Sequence, residues 1–217
     1  MDIFVNNVRL YYETFGKGRP LILLHGNGEN HHIFSRITKD LSRNHTIYLI
    51  DSRCHGKSQK RCSISYDLMA SDIISFIHKL RLEKPDLYGF SDGGITGLLI
   101  AIKEPGLLSS LIISGANIFP EGMNDKTLKS MKRVYFFTRS KLYRLMLTEP
   151  HISPSELEKI EIPVHLLVGE QDLIRREHTE LIASHLQNCT LDILPGEDHG
   201  SYIIYSRKLL PLIQKYS

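Results

Sequence analysis

The 217-residue chain has no tryptophan, only three cysteines and little excess of charge of either sign. Three thiols cannot all pair with one another, and Cys54, Cys62 and Cys189 are spaced neither as a Cys-x-x-Cys knuckle nor as a zinc site completed by histidines. Neither a disulfide scaffold nor a metal centre is expected; free buried thiols in a reducing compartment are. No apolar run approaches the roughly 18 residues of a membrane span. Met1-Asp2-Ile3-Phe4 lacks the basic start and apolar stretch of a secretion signal. The expectation is a soluble cytoplasmic protein without a membrane partner. Lys plus Arg number 27 against 24 Asp plus Glu, a net +3. Basic residues do recur at Lys126, Lys129, Lys132, Arg133, Arg139, Lys141 and Arg144, but apolar residues interleave them. That segment reads first as a solvated helix face, and nucleic acid is not an expected partner. With 41% hydrophobic and 24% charged residues, the composition is that of a globular chain, and its length favours one domain over residues 1–217.

Short apolar runs alternate with segments of helical period. Val8–Phe15, Pro20–Leu24, Thr46–Ile50, Asp86–Phe90, Leu107–Ser114, Pro163–Val168 and Thr190–Leu194 read as strands, most of them apolar throughout. Continuous rather than alternating apolarity is what a strand covered on both faces requires. Tyr66–Leu82, Ile95–Lys103, Glu177–Leu186 and Tyr202–Tyr216 read as helices. Strand, helix, strand with short Gly-bearing connections specifies the α/β class, a mostly parallel sheet with helices on both faces. The alternation lapses at about 117–160, where basic amphipathic segments read as a short helical insertion over the sheet.

In such sheets functional residues gather beyond the carboxyl ends of the strands. There lie His25-Gly26-Asn27-Gly28, Asp51, Ser91-Asp92, Asn117, Gly169–Asp172 and Asp198-His199. Gly89-Phe90-Ser91-Asp92-Gly93 has the form Gly-x-Ser-x-Gly, a strained strand-to-helix turn that exposes a serine at a helix N-terminus. The triplet recurs by chance in about one chain in ten of this length, so its place between a buried strand and an apolar helix carries the inference. Serine needs a base, and His199, after the last strand, is the candidate. Asp172 is the best group to orient the imidazole, with Asp198 and Glu170 as rivals. The backbone N–H groups of Asn27 and Asp92 are the expected oxyanion donors, and His25 is expected to brace its loop. The HGKS run, His55–Ser58, lacks the leading glycine of a phosphate loop, and Gly26-Asn27-Gly28 lacks the third glycine of a dinucleotide fingerprint, so no cofactor is expected.

Together Gly89–Gly93, His25–Gly28, Asp51–Ser58, Asp172 and Asp198-His199-Gly200 make the chain resemble the α/β-hydrolase superfamily from about residue 8 onward. Leu87–Pro105, with Ser114-Gly115-Ala116-Asn117 after it, is locally similar to the valacyclovir hydrolase and biphenyl-hydrolase-like branch. The resemblance implies the α/β-hydrolase fold and a triad of Ser91, Asp172 and His199. In that branch the acidic residue after the nucleophile receives the α-amino group of an amino-acid ester, here Asp92; a helix first-turn acid is the plainer account of the same residue. Two departures stand out. Cys54 occupies a position where the family more commonly has glycine, and only 81 residues separate Ser91 from Asp172, which reduces the cap. Asp92, Asn117, Phe119, Tyr135 and Phe136 are the expected substrate contacts, with Leu128, Met131 and Leu142 also over the pocket. The function expected is hydrolysis of small carboxylic esters or related acyl compounds through an acyl-enzyme on Ser91. Carbon–carbon or thioester hydrolysis, an amino-acid-ester hydrolase or aminopeptidase, and a low-turnover binding protein on the same fold stay open.

Overall fold

Leu21 and Leu23 point to one face of β3 (Arg19–Leu24) and Ile22 and Leu24 to the other, and all four are fully inaccessible to water. Such a strand has no polar face, so it is stable only between two helical layers. The structure, a computed structural model describing residues 1–217, supplies both. The sheet also contains β1 (Asp2–Val5), β2 (Val8–Phe15), β4 (His45–Asp51), β5 (Asp86–Phe90), β6 (Ser110–Ser114), β7 (Val164–Gln171) and β8 (Cys189–Asp198). Its strand order is β1-β2-β4-β3-β5-β6-β7-β8; β2 pairs antiparallel with both β1 and β4 at one edge, and the six strands β3 to β8 run parallel.

One face is covered by α1 (Ser35–Leu41) and α8 (Leu209–Tyr216), whose Ile37, Leu41, Leu209 and Ile213 join Leu21, Leu23, Tyr88 and Phe90 in one core. The other is covered by α2 (Tyr66–Leu80), α3 (Asp92–Lys103) and α7 (Arg176–His185), packed on Ile22, Leu24, Leu87 and Leu111. Between β6 and β7 the chain forms α4 (Asp125–Thr138), α5 (Lys141–Thr148) and the short α6 (Pro154–Leu157). In α4 no residue is buried, and in α5 only Leu145 is. No helix is long and apolar enough to cross a membrane.

Several elements depart from the sequence expectations. β1 and α1 are additional to them. The run Leu107–Ser114 is extended only from Ser110. Tyr66–Leu82 stops at Leu80: Arg81 turns left-handed at φ 52°, and Leu82 N–H reaches back to the Ile77 carbonyl, a Schellman-type closure. Tyr202–Tyr216 is helical only from Leu209; Ile203 and Ile204 both donate to the Gly200 carbonyl in a turn that ends at Tyr205, φ 50°. All three cysteines are free, but only Cys54 is buried; Cys62 and Cys189 are partly accessible because they sit in a surface loop and at the start of an edge strand.

Register places the site. Leu24 pairs with Gly89, Phe90 with Ser114 and Gln171 with Asp198, so the parallel strands deliver their carboxyl ends to one edge of the sheet.

Candidate active site

Ser91 follows β5 directly and caps α3 with φ 51° and ψ −111°, a region that a residue with a side chain adopts only under strain. Its N–H is held by the Ser114 carbonyl at 2.8 Å. The flanking glycines are required by space. A Cβ on Gly89 would lie 2.3 Å from the Gly93 carbonyl oxygen, and one on Gly93 would lie 2.5 Å from that of Leu24. The motif is thus a statement about two close backbone approaches that let the chain turn from strand to helix.

The loop after β8 brings His199 back over this turn. Its Nε2 is 3.2 Å from the Ser91 hydroxyl, and its Nδ1 is 2.7 Å from Asp172 Oδ1. Asp172 is almost wholly buried, and the same Oδ1 accepts the Ile174 N–H at 2.9 Å, which fixes the carboxylate. The rival acids face elsewhere. Asp198 accepts the N–H groups of Gly200 and Ser201, which hold its carboxyl below the usual range. Glu170 accepts the N–H of Gly196.

Asn27 lies on the loop after β3 and Asp92 in the first turn of α3, and both line the cavity together with Ser91. Neither backbone N–H donates to any group of the protein. The two are tied together by their side chains, Asn27 Nδ2 donating to Asp92 Oδ2 at 2.8 Å. Asp92 is buried, and its other oxygen accepts the Tyr66 hydroxyl at 2.7 Å. Burial pushes the Asp92 carboxyl up, against the pull of these two donors. His25 braces the loop as expected of it: Nδ1 meets the Gly26 carbonyl at 2.8 Å, and Nε2 accepts the Ser52 N–H at 3.1 Å. Burial lowers its pKa to about 4, which keeps the ring neutral with one donor and one acceptor nitrogen.

A cavity of about 660 Å³ opens over Ser91, within the range of small-molecule sites. Asn117 and Asp92 line it. Phe119, Tyr135 and Phe136, expected as substrate contacts, do not. Phe119 instead packs edge-on against the His178 ring at 4.5 Å, and Phe136 lies on the outer side of α4 with 64% of its surface exposed. The apolar lining comes from Met131 of α4 and from Leu142, Tyr143 and Met146 of α5, together with Met123, Leu173, Ile174 and Ile204. α5 supplies three of these residues and α4 one, so α5 rather than α4 supplies most of the roof.

Three contributors had no clear sequence signal. Gly115, at the end of β6 with φ +61°, leaves room for the imidazole: a Cβ there would lie 2.6 Å from His199 Cε1 and 2.7 Å from Nδ1. Tyr66 holds Asp92, and Glu29 lines the cavity while accepting the Gly26 N–H at 3.0 Å. Burial pushes the Glu29 carboxyl up to about 7. A glycine after a strand that ends on Ser114 is the one hint the sequence offers for Gly115.

Comparison with known proteins agrees with this architecture. Residues 19–149 match the model of the alpha/beta hydrolase fold family. The chain is 30% identical to the AB hydrolase superfamily protein YisY of Bacillus subtilis, over 97% of this chain and 96% of that protein. It is 26% identical to the human serine hydrolase BPHL, over 99% of this chain and 84% of the relative. Among solved structures, an esterase from Exiguobacterium antarcticum superposes with a TM-score of 0.83 at 20% identity, covering 98% of this chain and 96% of that one. At that identity the superposition speaks for the fold alone.

Proposed function

We propose that this chain, which belongs to the α/β-hydrolase family, hydrolyses small carboxylic esters through an acyl-enzyme on Ser91. The observation that carries the reading is the continuous line from Asp172 to His199 to the Ser91 hydroxyl, at 2.7 and 3.2 Å, beneath the cavity. Ser91 Oγ attacks the ester carbonyl while His199 Nε2 takes its proton. Asp172 accepts the Nδ1–H and stabilises the imidazolium that forms. The free N–H groups of Asn27 and Asp92 hold the carbonyl oxygen as it becomes an oxyanion. His199 then returns the proton to the departing alkoxide, and a water deprotonated by the same nitrogen releases the acid.

A fluorophosphonate probe, which phosphonylates only an activated serine, tests this together with turnover of short p-nitrophenyl esters. The expected result is labelling and turnover in the wild type and loss of both in Ser91→Ala and His199→Ala. Absence of labelling in the folded wild type would refute the reading and place a low-turnover binding protein first.

A second reading rests on the charge of the lining. Glu29, Asp92 and Asp198 are among the residues that line the cavity, and no lysine or arginine is. That balance favours an ester bearing a cationic substituent, as an amino-acid ester does, with Asp92 accepting the ammonium.

A further inference from the structure

We propose that the outer face of the cap is a docking surface for an anionic phospholipid bilayer. Sequence alone reads residues 126–144 as a solvated helix face; the structure adds where that face lies and what its cations do. From Lys126 to Thr148 the chain has seven lysines and arginines and no Asp or Glu. All seven are exposed, and none forms a salt bridge with a carboxylate, although Arg and Lys elsewhere in the molecule commonly do; Lys141 alone is tied down, donating to Cys54 Sγ and to the Lys60 and Cys62 carbonyls, which leaves six for the face. The whole chain has a net charge of only +3, whereas the run from Lys126 to Thr148 carries seven positive charges and no negative one.

Helical period sorts α4 into two faces. Leu128, Met131, Val134 and Tyr135 share the half-buried inner side, while Lys126, Lys129, Lys132 and Arg133 share the outer side with Phe136 and Phe137. Phe137 is the most exposed large apolar residue of the protein at 73%, and Phe136 stands at 64%. Two adjacent bulky apolar side chains held in water within a basic face serve no packing purpose in the isolated molecule. Their combination with cations is the composition of an interfacial helix, in which charge draws the face to anionic headgroups and aromatic side chains enter the acyl boundary.

The geometry favours a bilayer over a nucleic acid. The two rings meet edge to face at 5.2 Å and 86°, and the Arg139 guanidinium lies 5.5 Å from the Phe136 centroid. This is an apolar knob rimmed by cations, whereas stacking bases requires ring faces left open. The face is also continuous with the cavity: a groove lined by Lys126, Ser130, Met131, Val134 and Tyr143 leads from the underside of α4 to His199. The docking goes beyond the ester-hydrolase reading. Only its consequence, that an acyl chain passes from the bilayer along this groove, rests on that reading.

Sedimentation with sucrose-loaded vesicles tests the docking without recourse to turnover, so failure of the docking and failure of the esterase reading are distinguishable. Wild-type protein is expected to sediment with phosphatidylcholine–phosphatidylglycerol vesicles, not with phosphatidylcholine alone, and to be released by salt. Each cation removed should weaken partitioning about fivefold, the equivalent of about 1 kcal/mol, so Lys129→Gln/Arg133→Gln should lose about 25-fold. Phe136→Ser/Phe137→Ser, which keeps every charge, should lose at least about tenfold. Circular dichroism and thermal melting establish that both variants are folded. No sedimentation of the wild type with the anionic vesicles would overturn the proposal. So would an unweakened phenylalanine variant, which would mark the face as a polyanion site, nucleic acid included, rather than a bilayer site.

Discussion

Gly115→Ala is the substitution that most directly probes how the site is assembled. The added Cβ would lie 2.6 Å from His199 Cε1 and 2.7 Å from Nδ1, where ordinary contact begins near 3.4 Å. The imidazole must retreat by roughly 1 Å, and a misplacement of that size costs about 100-fold in rate. It must also leave either Asp172 or Ser91, because those two contacts, at 2.7 and 3.2 Å, lie on opposite nitrogens. The backbone adds its own strain: φ at residue 115 is +61°, and a side chain in the left-handed region costs about 1–2 kcal/mol. For a chain of this size that corresponds to a fall in Tm of about 2–8 °C. Gly106→Ala separates the two effects, since Gly106 has φ +81° and nothing within 4 Å of the added methyl. Short-ester kinetics and differential scanning calorimetry on both variants are the assay. Both should lose comparable stability, while only Gly115→Ala should lose about 100-fold in kcat with little change in KM. Equal kcat in the two variants would refute the claim that Gly115 exists to seat His199.

Two further expectations follow from the carboxyl groups around the cavity. If Asp92 receives an ammonium, an amino-acid ester should be preferred over its des-amino analogue, and Asp92→Asn should lower that kcat/KM ratio about 10–100-fold, the worth of one hydrogen bond to a charged group; an unchanged ratio would assign Asp92 to loop tethering alone. Burial raises Glu29 from 4.5 to about 7, so the folded protein holds that proton where the unfolded chain has released it. Its contribution to stability is therefore present below about pH 4.5 and is lost as pH rises through about 7. Glu29→Gln, which retains an acceptor for the Gly26 N–H, should show a flatter decline of Tm across that window, and parallel Tm profiles for the two proteins would count against it.

The parallel sheet was legible because burial on both faces leaves its mark on every residue of a strand. Leu21 to Leu24 needed no tertiary information to be read as a central strand. Ser91 and its glycines were equally legible, since the backbone approaches that exclude a Cβ at 89 and 93 are local to one turn. Asp172 and His199 were legible as candidates by their place after strands. Their mutual direction was not: Asp198 is adjacent in sequence to His199, yet its carboxylate turns to the N–H groups of Gly200 and Ser201. β1 and α1 escaped notice because four and seven residues are too short to display a period against their surroundings.

The cap shows where sequence reading stops. Helical period assigned α4 two faces, but which face meets the protein depends on the angle at which the helix lies, and that angle is set by contacts far away in the chain. Phe136 thus read as a pocket residue and stands in water, while Leu142, Tyr143 and Met146 of the neighbouring helix form the roof. Gly115 is the same lesson at a single atom. Its glycine is required by a histidine 84 positions later in the sequence. Amino-acid order by itself determined what is local: the strand runs, the elbow and the chemistry available beyond each strand. Only the tertiary structure decided what faces what, because side-chain direction and empty space belong to packed elements and not to neighbours along the chain.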